Sequence, residues 1–200
     1  MQPADLLSLP PDLPVPIDDG ATDRLPGMAM PAVALPATDG SEVRLDDPSA
    51  PRTVVFAYPR TGRPGEEPPG GTVAWNAIPG ARGCTPQACA YRDRFAELTA
   101  LGVRIFGLST QDTAYQRELV DRLELPYPIL SDQHLELARA LGLPTFETEG
   151  LTLLKRHTLV IDGGRIEHVL YPVFPSDRDA EQVIAWLTAH AGGAAGRPSA

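Results

Sequence analysis

Cysteine is nearly absent from this chain: Cys84 and Cys89 are the only two in 200 residues. Two are too few for a disulfide scaffold, and a chain of this length buries enough apolar surface to fold without one. Basic residues are also scarce, 17 Lys and Arg against 26 Asp and Glu, for a formal net charge of −9. The chain therefore lacks the positive field that nucleic acid or an anionic membrane demands. No apolar run approaches the roughly 18–20 residues of a membrane span. Residues 1–16 carry Asp5 and Asp12 but no Lys or Arg. That does not fit a basic-then-apolar secretory leader and points to a cytoplasmic protein. His134, His157, His168 and His190 are scattered, and none lies near the cysteine pair. Zinc needs more protein ligands than the pair supplies, so no metal site is expected.

Proline, by contrast, is abundant, with 22 residues unevenly spread. Residues 1–26 are rich in Pro and Asp and show neither helical nor strand periodicity. They read as an extended arm, either packed against the domain or disordered. Residues 62–71 (GRPGEEPPGG) read as loop, continuing past Trp75 and the Pro79-Gly80 turn signal to Gly83. Residues 192–200 (GGAAGRPSA) read as a frayed tail. Between these, 27–191 forms one domain of alternating elements. Residues 32–35 and 42–45 flank an Asp39-Gly40 turn and predict a hairpin. Residues 53–58 (TVVFAY) and 103–108 (VRIFGL) are apolar, β-rich runs expected of buried strands. Helical spacing covers 85–101, 112–123 with Asp112 as N-cap, 133–141 closed by Gly142, and 177–190. Residues 127–130 are a short extended piece. Residues 157–161 and 165–171 are strands joined at Asp162-Gly163-Gly164. This order predicts an α/β fold with a central mixed sheet flanked by helices.

The chemistry concentrates at the cysteines. Thr85-Pro86 is a helix-start signal, with Thr as N-cap and Pro in the first turn. Cys84 then lies just before the helix or within its first turn. Free N–H groups and the helix dipole there favour an anion, and Arg82 is close by, so the thiolate is favoured. Cys89 lacks that position. Helical spacing puts Cys84, Ala88, Tyr91, Phe95 and Leu98 on one apolar stripe, with Cys89 about 140° away. Residues five apart in a continuous helix have Cα atoms roughly 8–9 Å apart. A disulfide wants about 4.4–6.8 Å. A Cys84–Cys89 bridge therefore requires the first turns to unwind, which suits a catalytic disulfide better than a stabilising one. Taken without further context, the C-x4-C spacing fits redox chemistry and plain packing equally well.

The segment 83–93, GCTPQACAYRD, resembles the active-site stretch of the Q-type (bacterioferritin-comigratory-like) peroxiredoxins, in which G-C-T-x-x-A-C opens the first long helix. Residues 31–35 with Asp39-Gly40, TVVFAYP at 53–59, GLST at 107–110, PYPILSD at 126–132 and Arg156 followed by HTLVID are similar, in order, to further pieces of that family. The resemblance runs from about Gly27 to His190. It implies a thioredoxin-like fold and a thiol peroxidase that reduces hydrogen peroxide and organic hydroperoxides without metal, haem or flavin. Carried over by position, it makes Cys84 the peroxidatic cysteine and Cys89 the resolving one of an intramolecular disulfide. It makes Arg156 the arginine that holds the thiolate and the peroxide oxygens, and Pro59 the proline that shields the pocket. Thioredoxin or a similar thiol donor would recycle the disulfide, in a monomer or a homodimer.

One departure stands out. The family's compact Pro-x-x-x-Thr-x-x-Cys loop is missing: Ala81 stands three residues before Cys84, and residues 60–83 separate Pro59 from the cysteine. Thr61 is one candidate for the displaced hydroxyl, with an insertion over 62–82 looping out next to the active site. Thr85 is another, although it also reads as the N-cap. Trp75 and the inserted prolines either shape access to the site or form a solvent loop around one packed Trp. The alternative function is a redox-responsive binding protein with little peroxidase turnover. A disulfide reductase fits less well, because it uses the tighter C-x-x-C spacing.

Overall fold

The computed structural model describes residues 6–190. The expected tail at 192–200 and the start of the arm lie outside the described residues. In chain order the strands are β1 (Ala34–Pro36), β2 (Glu42–Arg44), β3 (Thr53–Ala57), β4 (Arg104–Ser109), β5 (Ile129–Ser131), β6 (Thr145–Thr148), β7 (Leu151–Leu154), β8 (His157–Asp162) and β9 (Arg165–Leu170). The helices are α1 (Gly71–Ala77), α2 (Cys84–Asp93), α3 (Phe95–Ala100), α4 (Thr113–Leu123), α5 (Glu136–Leu141) and α6 (Asp179–Ala189). The central sheet has five strands in the order β5-β4-β3-β8-β9. β3, β4 and β5 are parallel, while β8 joins β3, and β9 joins β8, antiparallel. This is the predicted mixed sheet flanked by helices.

β3 is buried on both faces, which is why it reads as an unbroken apolar run. Val54, Phe56 and the following Tyr58 face a layer formed by Ala88 and Tyr91 of α2, Leu119 of α4, and Val183 and Leu187 of α6. Val55 and Ala57 face the opposite layer with Leu35, Leu137, Leu141 and Leu159. Asp112 caps α4 as expected, its side chain accepting from the Tyr115 N–H at 2.7 Å. Gly142 follows α5 in the left-handed conformation.

Three expectations need correction. Residues 62–83 are not all loop: they contain α1, whose Trp75 packs with Ala81 and with Leu153 of β7. The predicted helix over 85–101 is two helices, broken at Arg94 (φ −109°, ψ 13°). The helix expected from residue 133 starts only at Glu136, because the Asp132 carboxylate accepts from the Leu137 and Ala138 N–H groups and holds the preceding turn open. The β6–β7 hairpin, outside the main sheet, had no counterpart in the predicted elements.

The described part of the arm packs against the domain. Leu25 is fully buried in the core. Asp19 pairs with Lys155 at 2.5 Å and accepts from the Tyr171 hydroxyl at 2.8 Å. Nearer its start, Leu9 lies over Gly83 and Leu6 over Gly62, so the arm crosses the beginning of α2.

Candidate active site

Cys84 is the first residue of α2, and Gly83, not Thr85, holds the N-cap position. The reason is steric. Gly83 has φ 105°, and a Cβ there would collide with Ser176 Oγ and lie 2.7 Å from Leu9 Cδ2. The chain can turn into the helix only at a residue without a side chain. Thr85 is thereby moved inside the helix, where it is 3% exposed.

Cys84 itself is buried, and its thiol points back to the Ala81 carbonyl at 3.5 Å. Arg156, the residue just before β8, reaches it from the sheet. Its Nη2 donates to Cys84 Sγ at 3.2 Å and also faces the carbonyls of Gly80, Ala81 and Arg82 at 3.2–3.4 Å. Its Nη1 donates to Gln87 Oε1. Gln87 Nε2 donates in turn to Asp179 Oδ2 at 2.6 Å, and the Thr158 hydroxyl donates to the same oxygen at 2.7 Å. Gln87, Thr158 and Asp179 are each fully buried. Burial pushes the Asp179 carboxyl up, against the hydrogen bonds from Gln87 and Thr158 that hold it down. An ionised Asp179 only accepts, so it fixes the Gln87 amide with its oxygen towards Arg156. Gln87 and Asp179 were not among the predicted site residues. A polar side chain one turn after Cys84, beside the apolar stripe of the helix, was the available signal for the first. Asp179 left none, since its partner is 92 residues away.

The remaining expected residues divide. Thr61 is 1% exposed, lines the cavity beside Cys84, and donates its hydroxyl to Gln111 Oε1 at 3.1 Å. Thr85 lines the same cavity. Pro59 is buried after β3 and does not contribute to the cavity wall. Cys89 is half-buried further along α2, on a different surface depression that it shares with Pro86 and Leu9. Burial pushes the Cys89 thiol up. Both cysteines are free thiols. Glu66 to Pro69, Trp75 and Arg82, all within residues 62–82, line the cavity that contains Cys84.

His157, next to Arg156, supplies a pH test of the local structure. It is fully buried with Nδ1 2.8 Å from the Lys155 carbonyl, and burial lowers its pKa to about 4. The unfolded chain takes up the proton first as pH falls below about 6.5. The associated stability is complete above that pH and is lost as pH falls towards 4. Between pH 7.5 and 4.5, urea denaturation should show the protein losing about 2–3 kcal/mol more than a His157→Phe variant. Equal losses in the two proteins would rule this out.

A cysteine at a helix start, touched by a buried arginine at the edge of a thioredoxin-type sheet, defines a thiol-based redox site. The model of the family named Redoxin matches residues 25–184. Peroxiredoxin Bcp of Escherichia coli K12 is 29% identical over 82% of this chain and 96% of its own length. The structure of peroxidoxin BcpB from Mycobacterium tuberculosis superposes with a TM-score of 0.65 at 27% identity, covering 82% of this chain and 96% of that one. Peroxiredoxin Q of Xanthomonas campestris, at 18% identity and a TM-score of 0.63 over 90% of this chain and 99% of that one, shares the fold. The chain belongs to the Redoxin family and is a peroxiredoxin, a thiol peroxidase, similar to proteins of the Bcp and Q types. Among the described residues, no helix is long and apolar enough to cross a membrane.

Proposed function

We propose that Cys84 is the peroxidatic cysteine of a cytoplasmic peroxidase that reduces hydrogen peroxide and organic hydroperoxides. The observation that carries this reading is the 3.2 Å contact between Arg156 Nη2 and Cys84 Sγ at the first turn of α2. The guanidinium and the free N–H groups of that turn supply positive charge to a thiolate and then to the departing oxygen. The Cys84 thiolate attacks the terminal peroxide oxygen, the O–O bond breaks, and the alkoxide or hydroxide leaves and takes up a proton. Sulfur becomes a sulfenic acid. Cys89 then attacks Cys84 Sγ, an S–S bond forms and water leaves. This step requires the start of α2 to unwind. A thioredoxin-like dithiol or a low-molecular-weight thiol returns both sulfurs to thiols by exchange. Thr61 and Thr85, which line the same cavity as Cys84, are the two candidates for the hydroxyl beside the reacting sulfur. The site works as drawn in either a monomer or a homodimer.

Intact mass after one equivalent of peroxide tests the cycle. The expected product is two hydrogens lighter, with the bond mapped to Cys84–Cys89. A mass gain of one oxygen with no disulfide would overturn the resolving role. Cys89→Ser should still form a sulfenic acid in a single turnover. Its steady-state rate with thioredoxin should fall roughly ten-fold or more, because no neighbouring thiol displaces the hydroxyl.

A further inference from the structure

The cavity over Cys84 is far larger than hydrogen peroxide requires. Its volume is about 240 Å³. One water needs only roughly 10–15 Å³ on a comparable measure, and whole ligand sites begin near 300 Å³. Thr61, Cys84 and Thr85 contribute one part of its lining. An apolar part comes from Leu6 of the arm, Pro68, Pro69 and Trp75 of the inserted segment, and Leu151 of β7. None of these five belongs to the central sheet or to α2. This apolar wall is also anchored. Trp75 is 4% exposed against Ala81 and Leu153, and Leu6 is 6% exposed. Rim charges balance, with Arg60 and Arg82 against Glu66 and Glu67. Arg60 stacks on Tyr115 at 4.7 Å, Glu66 accepts from the Tyr115 hydroxyl at 3.2 Å, and Glu67 is engaged by Thr72 at 2.7 Å. The charged residues of the lining therefore sum to zero.

We propose that the inserted segment and the arm together build a specificity pocket for hydroperoxides with a neutral, apolar tail, alkyl or aryl. The peroxy group lies at Cys84, and the tail lies against Leu6, Pro68, Pro69, Trp75 and Leu151. Hydrogen peroxide reaches the same sulfur but leaves the apolar wall unused, so the wall favours the organic substrate selectively. This rests on Cys84 being the peroxidatic cysteine.

The test uses the full chain and two variants, one in the arm and one at the start of the inserted segment. Leu6→Asp puts a charge on the wall. Gly62→Val fills the cavity beside Leu6; the first added carbon there meets only Leu6 Cδ2, at an ordinary 3.5 Å. Single-turnover rate constants are measured with cumene hydroperoxide and with hydrogen peroxide, together with inhibition by the product alcohol, 2-phenyl-2-propanol. The unaltered protein should prefer cumene hydroperoxide. Both variants should lower the cumene-to-hydrogen-peroxide rate ratio about ten-fold and weaken inhibition by the alcohol in parallel. A ratio and an inhibition constant unmoved in both variants, with Cys84 still reactive, overturn the pocket and leave the peroxidatic role standing. An unaltered protein in which Cys84 reacts with neither peroxide overturns both.

Discussion

Exchanging Cys84 for serine is expected to remove peroxide consumption, by a factor on the order of 10⁴ or more. The substitution changes one atom at a position that is 4% exposed, at the start of a helix whose geometry is set by Gly83. Serine Oγ accepts from Arg156 Nη2 much as Sγ does, so folding and the surrounding hydrogen bonds should persist. What disappears is the nucleophile. A hydroxyl stays protonated at neutral pH, and the neighbourhood offers it a cation and carbonyl oxygens but no general base: the Ala81 carbonyl is the group that Cys84 faces. Stopped-flow peroxide consumption, with circular dichroism as a folding control, gives the answer. A folded serine variant that retains a tenth of the activity would refute the assignment. Cys89 offers no substitute, because burial favours its protonated form and it lies on a different depression.

The sheet was legible from local pattern because its central strands are buried on both sides. Residues 54–57 are apolar without a break, and the run 53–58 is rich in β-branched and aromatic residues, as expected of a strand buried on both faces. The Asp112 cap and the Gly142 stop were legible for the same reason, since each acts on its own neighbours. Elements stabilised by distant contacts were not. α1 opens with Gly70 as its N-cap and Gly71 as its first residue, both at positive φ, and is held by Trp75 against Leu153, a contact across 78 residues. The β6–β7 hairpin consists of short, half-exposed strands around Glu149 and Gly150, both at positive φ, and its residues alternate too weakly to stand out. The site followed the same division. Cys84, Cys89 and Arg156 sit in recognisable local motifs. Gln87 acts only through Arg156 and Asp179, and the place of Thr61 on the cavity that contains Cys84 has to be found in space, because the two are far apart in sequence.

Arg156→Met should slow the reaction with peroxide about 10²–10³-fold, the usual cost of deleting a donor aimed at developing negative charge. Arg156 is 3% exposed and is the cation that links Cys84 on one side with Gln87 and, through it, Asp179 on the other. Methionine fills much of the volume but removes every donor. The Gly80, Ala81 and Arg82 carbonyls lose a partner, and Gln87 is free to turn. Asp179, whose carboxyl burial already pushes up, then gains a further reason to hold a proton. Both the thiolate and the departing oxygen are left without a guanidinium. Arg156→Lys separates charge from geometry. A lysine restores the positive charge but is a single point donor, and it cannot span Sγ and Gln87 Oε1 together as the planar fork does. Its rate should therefore fall between the other two. Gln87→Leu provides the matching control: Arg156 keeps its charge, loses its link to Asp179, and should show a smaller deficit that Arg156→Met does not add to, since both act along one chain of hydrogen bonds. A methionine variant within about three-fold of the unaltered rate, or a lysine variant equal to it, would show that the fork is structural and that the first turn of α2 alone supports the thiolate.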